Sequence, residues 1–139
     1  MTFRIFAAGL ALALSTAAIS VPALAQDAAK GETEFKKCKA CHAITAPDGT
    51  DIVKGGKVGP NLYGVVGRPV ASVPDFKYGD GILAVGAAGT VWDEATLAEY
   101  VTDPTAFIDT HGGSGKSKMT FKLAKNQADV VAYLASVAQ

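Results

Sequence analysis

The sequence predicts an all-α domain built from several short helices. Capped segments with helical spacing of apolar residues recur along the chain, and no segment alternates apolar and polar residues for long enough to make a useful strand. The apolar content is also too lean to close a core unaided.

The 139 residues include 13 basic and 13 acidic side chains and are 49% hydrophobic. That balance suits one domain and argues against a basic nucleic-acid binder or a disordered chain. Residues 1–25 contain Arg4, an unbroken apolar or small run from Ile5 to Leu14, Pro22, and the small-x-small site Ala23-Leu24-Ala25. This pattern predicts a cleaved secretory signal peptide, since a membrane anchor needs roughly 20 predominantly apolar residues. Removing 25 of the 139 residues leaves a domain at 26–139, 114 residues long, with only 31 large apolar side chains and 14 glycines. Lean domains of this size often draw on a disulfide, a metal or a cofactor.

The elements follow in order. Asp27 to Lys37 reads as a helix with Phe35 on its inner face, ending at two cysteines. Ala43 to Lys57 is a long polar loop punctuated by Pro47-Asp48-Gly49 and Gly55-Gly56, and a further turn is expected around Gly79 to Ala87. Asp93 to Val101 has a capping acid after Trp92, apolar residues at Leu97, Tyr100 and Val101, and a stop at Pro104. Gly112 to Gly115 is a glycine-rich link. Asn126 caps a last helix in which Val130, Val131, Tyr133, Leu134 and Val137 form a stripe.

The only two cysteines stand in the run Cys38-Lys39-Ala40-Cys41-His42. Two thiols with two residues between them, at a helix end, can both reach one edge of a porphyrin, and the histidine that follows can turn its imidazole onto the iron. The spacing therefore predicts one covalently attached haem c with His42 as proximal ligand. A redox disulfide is a rival that export would favour, but the chain lacks the alternating strands and helices of the thioredoxin kind. A structural zinc site would have to recruit both His42 and His111, and a histidine adjacent to the second cysteine is poor tetrahedral spacing.

The other axial ligand decides the chemistry of a haem protein. Met119 is the one methionine after residue 25, in Lys116-Ser117-Lys118-Met119-Thr120-Phe121-Lys122. Its neighbours are polar or charged, so it lies outside any apolar helical stripe, and a bond to iron accounts for it better than gap-filling does. His111, in a glycine-rich segment, is the competing ligand, and an open distal position is the third possibility.

These residues match a family. Cys38-Lys39-Ala40-Cys41-His42, Gly59-Pro60-Asn61-Leu62-Tyr63-Gly64, Phe76-Lys77-Tyr78, Trp92, Tyr100-Val101-Thr102-Asp103-Pro104 and Lys118-Met119-Thr120-Phe121 resemble, in that order, the class I cytochromes c, nearest the bacterial c2 and c550 group. The resemblance spans nearly all of residues 27–138 and implies the small cytochrome c fold, with first and last helices crossing closely at Gly31. It also implies roles at the site. The Pro60 carbonyl accepts a hydrogen bond from the His42 ring, Arg68, Tyr78 and Trp92 hydrogen-bond a buried haem propionate, and the Tyr100 hydroxyl lies beside the methionine sulfur.

The function expected is that of a soluble, monomeric, periplasmic electron carrier rather than an enzyme. The alternative is an open-site haem c enzyme or gas sensor of peroxidase type, for which His111 is the one candidate acid–base group. The resemblance implies electrons arriving from a quinol-oxidising cytochrome complex and leaving to a cytochrome oxidase or a photosynthetic reaction centre. No nucleic acid and no stable membrane insertion are expected. Lys36, Lys37, Lys39, Lys54 and Lys57 flank the attachment run, and Lys116, Lys118, Lys122 and Lys125 surround Met119, whereas Asp75, Asp80, Asp93, Glu94, Glu99, Asp103 and Asp109 hold the middle of the chain. A dipole follows, with docking through a lysine-rich face.

Overall fold

The computed structural model describes residues 26–138, and the predicted signal peptide at 1–25 lies outside them. The described chain forms five helices and one short hairpin: α1 (Ala28–Phe35), β1 (Ile44–Thr45), β2 (Asp51–Val53), α2 (Asp80–Ala87), α3 (Glu94–Thr102), α4 (Pro104–Thr110) and α5 (Gln127–Ser136).

Asp27 starts α1 by accepting a bond from the Lys30 N–H at 3.0 Å. Helix α1 crosses α5, which also packs on α3; α3 packs on α4, and α4 on α2. At the crossing the Phe35 ring lies 5.6 Å from that of Tyr133. The Asp129 carboxylate accepts from the Asp27 N–H at 2.9 Å and pairs with Lys30 at 3.0 Å, and these bonds hold its pKa below the ordinary carboxylate value. Phe35, Val130, Val131 and Leu134 are all buried there, and Trp92, Leu97, Phe107 and Ile108 extend the core beneath α3 and α4.

Four expectations need correction. The polar loop after His42 contains a hairpin, β1 pairing antiparallel with β2 through Ile44–Val53 and Thr45–Asp51 with an irregularity between. Its strands are too short for alternation to show in the sequence. Residues expected to form a turn near Gly79 are a two-turn helix, α2, burying Ile82 and Val85. Pro104 does not end helical structure. Asp103 closes α3 and caps α4 by accepting from the Ala106 N–H at 3.2 Å, with Pro104 at the first position of α4, where a missing N–H costs nothing. Finally, Asn126 occupies the cap position of α5 at φ +63° but makes no side-chain capping bond.

The capping acid after Trp92 is present as a full capping box, Asp93 accepting from the Thr96 N–H at 2.7 Å while the Thr96 hydroxyl accepts from the Asp93 N–H at 3.0 Å.

Gly31 is the closest approach between α1 and α5. A Cβ there would lie 2.5 Å from the Asp129 carbonyl carbon and 2.9 Å from Tyr133 Cβ. Helix propensity alone favours alanine over glycine by about 1 kcal/mol, but forced separation of packed helices costs up to about 3 kcal/mol. Gly31→Ala is therefore expected to lower the stability of the holoprotein by about 2 kcal/mol net in a denaturant titration. A stabilised variant would show that the helices part without loss.

Candidate haem site

The chain turns tightly after α1. Cys38 N–H donates to Phe35 O at 2.8 Å, and Cys41 and His42 N–H both donate to Cys38 O, at 3.1 and 3.0 Å. This places Cys38 half-buried against the core, Cys41 exposed and His42 half-buried. The returning segment covers the turn. Gly56 N–H donates to Lys39 O, Gly59 N–H to Cys41 O and Leu62 N–H to Ala43 O, at 2.9, 2.8 and 3.1 Å.

That cover fixes the imidazole. His42 Nδ1 lies 2.8 Å from Pro60 O. A carbonyl only accepts, so Nδ1 carries the proton and Nε2 keeps a free lone pair. Burial lowers the His42 pKa, outweighing the bond to Pro60, and the ring is neutral at pH 7. A Cβ at Gly59 would lie within 2.6 Å of both ring nitrogens, so the ring fills the space that glycine leaves. Asn61 ties the cover to β1: its Oδ1 accepts from Thr45 N–H at 3.0 Å and from Tyr63 N–H at 3.1 Å, and its Nδ2 donates to Thr45 O at 2.7 Å.

Arg68, Tyr78, Trp92 and Tyr100 come together on the other side. Trp92 is buried, with its ring 4.9 Å from Tyr100 and 5.4 Å from Phe107, and its backbone N–H donates to Arg68 O at 2.9 Å. The Tyr78 hydroxyl accepts from Val73 N–H at 3.2 Å and keeps its own proton to donate. Tyr78 also lies near enough to Arg68 and Tyr100 to act on both electrostatically. Burial raises the Tyr100 pKa and keeps its hydroxyl protonated. That hydroxyl stands 3.5 Å from Ser117 Oγ, on the segment that carries Met119.

Arg68 supplies the test of fit. Its Nη1 and Nη2 donate to Tyr63 O and Asn61 O at 3.1 and 3.2 Å, while Nε is buried without a partner. A buried guanidinium N–H with no acceptor is costly, and a carboxylate such as a haem propionate is the group that fits it. The residues present fit the group.

Met119 is half-buried, and its N–H donates to the Ser117 hydroxyl at 3.1 Å. Ser117 is the one buried polar side chain of the described residues, and its own N–H donates to Thr105 Oγ1 at 3.1 Å. The glycine-rich link before Met119 thus ends in a fastened segment. Ser117 did not stand out in the sequence, and Asn61 entered only as part of the Gly59 to Gly64 motif, with no role of its own. Gly-Pro-Asn marks a turn in which Asn bonds its own backbone two residues on, a signal that could have found Asn61; Ser117 carries none.

The rivals fare differently. His111 stacks on Phe107 with ring centroids 3.9 Å apart, its Nδ1 lies 3.0 Å from Phe107 O, and its Nε2 faces Glu99 at 3.6 Å, so the ring is held at the end of α4. No three histidine, cysteine or acidic side chains converge as a metal cluster among the described residues, which removes the zinc reading. The Cys38 thiol is pushed up to about 11, chiefly by burial and then by Cys41, the opposite of the low-pKa thiol that disulfide exchange needs.

Three of the lysines expected on a docking face are engaged within the chain. Lys37 pairs with Glu34, Lys122 with Asp103 at 2.6 Å, and Lys118 with backbone carbonyls. Lys36, Lys39 and Lys54 border a cleft of about 250 Å³ behind α1, over Phe35 and Tyr133, and Lys57 borders another beside Gly59 and Pro60.

The fold and the pentapeptide define a helical domain closed on a covalently attached haem. No family model matches the chain. It is 64% identical over 128 residues to cytochrome c-550 of Paracoccus versutus, spanning 88% of this chain and 83% of that one. It is 60% identical over 121 residues to cytochrome c2 of Rhodobacter capsulatus, spanning 86% and 88%. The crystal structure of ferric cytochrome c-550 from Paracoccus versutus superposes with a TM-score of 0.80 at 65% identity, covering 83% of this chain and all of the other. The chain belongs to the class I c-type cytochromes, within the bacterial cytochrome c2 and c-550 group. It carries haem c on Cys38 and Cys41 and is an electron-transfer protein, not an enzyme.

Proposed function

We propose that the protein works in the periplasm, with His42 and Met119 as axial ligands, taking single electrons from a quinol-oxidising cytochrome complex and passing them to a cytochrome oxidase or a photosynthetic reaction centre. Bound haem supplies a one-electron couple between ferric and ferrous iron. The polypeptide does the rest. Pro60 and Gly59 hold the His42 ring, and the Pro60 carbonyl makes Nε2 a better donor by taking the Nδ1 proton into a hydrogen bond. Arg68 Nε offers a buried partner for a propionate charge, and the Tyr78 hydroxyl keeps a proton to donate. Tyr100 and Ser117 fix the segment that presents Met119.

The observation that carries this reading is the fastened Met119 segment: a sulfur held by a pinned backbone can stay in place in both redox states. A protein with both axial sites filled by its own side chains leaves no position for a substrate. No helix among the described residues is long and apolar enough to cross a membrane.

Two outcomes are expected. Ferric protein should show the weak charge-transfer band of a methionine–iron bond at the red end of the spectrum. Met119→Leu should abolish that band, lower the reduction potential and admit carbon monoxide to the ferrous protein; His111→Ala should change none of these. Rapid carbon monoxide binding by the unmodified ferrous protein at neutral pH would favour the open-site alternative.

Docking should be brief, over an interface below about 1,200 Å², and drawn by charge. Lys57 and Lys116, which make no ion pair among the described residues, are better placed for this than the engaged lysines. The second-order rate with an acidic redox partner should fall as salt shortens the Debye length to about 8 Å. Lys57→Glu and Lys116→Glu should each lower the low-salt rate by about three-fold, and Glu94→Lys should leave it near wild type. Equal effects from both kinds of reversal would place docking elsewhere.

A further inference from the structure

Lys118 reaches from the Met119 segment across to residues forty positions earlier. Its Nζ donates to Tyr78 O at 3.1 Å and to Lys77 O at 3.3 Å. Neither carbonyl accepts a backbone bond among the described residues, so the ammonium is their one protein partner there. The stem lies over Gly79, where a Cβ would come 3.3 Å from Lys118 Cγ, closer than most such contacts. An ammonium has three donors and no acceptor, and two carbonyls converging on it form a charge-assisted bridge.

The bridge joins the two segments that bear groups of the site. On one side, Tyr78 packs partly buried against the core and receives the Val73 N–H on its hydroxyl. On the other, Ser117 and Met119 flank Lys118 directly, and Ser117 is fixed to α4 through Thr105. The Ser117 bonds hold the Met119 segment to the helices beneath it, but they do not tie it to the Tyr78 segment. Lys118 does, and lifting Met119 away from the Tyr78 segment breaks that bridge.

We infer that Lys118 is a positioning residue, a latch that keeps the Met119 segment closed against the Tyr78 segment and so slows release of the methionine sulfur. The inference rests on the proposed ligation by Met119. It also separates Lys118 from the docking lysines: Lys118→Glu would set a carboxylate against two carbonyls, and a slower electron transfer in that variant would report an opened site, not a lost docking charge.

The test is displacement of the distal ligand in ferric holoprotein by imidazole, followed by stopped flow at neutral pH, with Met119 amide hydrogen exchange as a second readout. Lys118→Leu should speed imidazole binding by about ten-fold and raise exchange of the Met119 amide, as expected for loss of a charge-assisted bridge. Lys118→Arg, which keeps the charge and several donors, should stay within about two-fold of wild type. Lys116→Leu, which removes a nearby charge without touching the bridge, should match wild type. An unchanged rate in Lys118→Leu, or an equal acceleration in Lys116→Leu, would overturn the latch while leaving the ligation intact. If Met119→Leu bound imidazole no faster than wild type, the ligation and the latch would both fall.

Discussion

Attachment of haem through Cys38 and Cys41 is the constraint on which the rest of this domain depends. It comes directly after α1, so the helix that crosses α5 and the turn that carries His42 are one continuous piece of chain. Whatever positions α1 against α5 also positions the attachment site. That is the significance of Gly31, where a Cβ would run into the α5 backbone at Asp129, and of the Asp129 side chain, which ties the start of α1 to α5. The described chain buries fifteen apolar side chains. They gather beneath the helices and stop at the aromatic group of Trp92, Tyr100 and Phe107. A domain so lean gains from a large apolar cofactor that it cannot lose.

The polar groups of the site follow one pattern. Three of them are held by backbone carbonyls from elsewhere in the chain: His42 by Pro60, Arg68 by Tyr63 and Asn61, and Lys118 by Lys77 and Tyr78. Such bonds do not depend on a second side chain finding the right rotamer, so they position a group at little entropic cost. They also leave a specific capacity spare, Nε2 on His42 and Nε on Arg68. The spare atoms are those a ligated iron and a propionate would use on the proposed reading.

Much of this was legible in the sequence because its signals are local. The Cys38 to His42 run, the capping acid Asp93 and the α5 stripe each lie within one or two turns, and the order of the short motifs from Cys38 to Phe121 carried the family. What escaped depended on distance or on one residue serving two elements. Asp103 ends α3 and begins α4, so Pro104 read as a stop when it was a start. The hairpin at Ile44 and Asp51 is held by its pairing rather than by any propensity of five residues. Ser117 and Lys118 are ordinary polar residues until Thr105 and the carbonyls of Lys77 and Tyr78 are brought beside them. Lys122 likewise reads as a free charge because Asp103 meets it only once the chain is folded, whereas Lys37 has Glu34 three residues before it on the predicted helix, a local pair that the sequence reading passed over.

The claim that covalent haem organises the core is tested most directly by calorimetry of the chain with Cys38→Ala and Cys41→Ala together, purified without haem. The account predicts no cooperative transition and a far-ultraviolet spectrum with little helix, because the buried apolar side chains do not close on one another alone. A sharp thermal transition with near-native helix content would contradict it and make the haem a passenger in a self-sufficient fold.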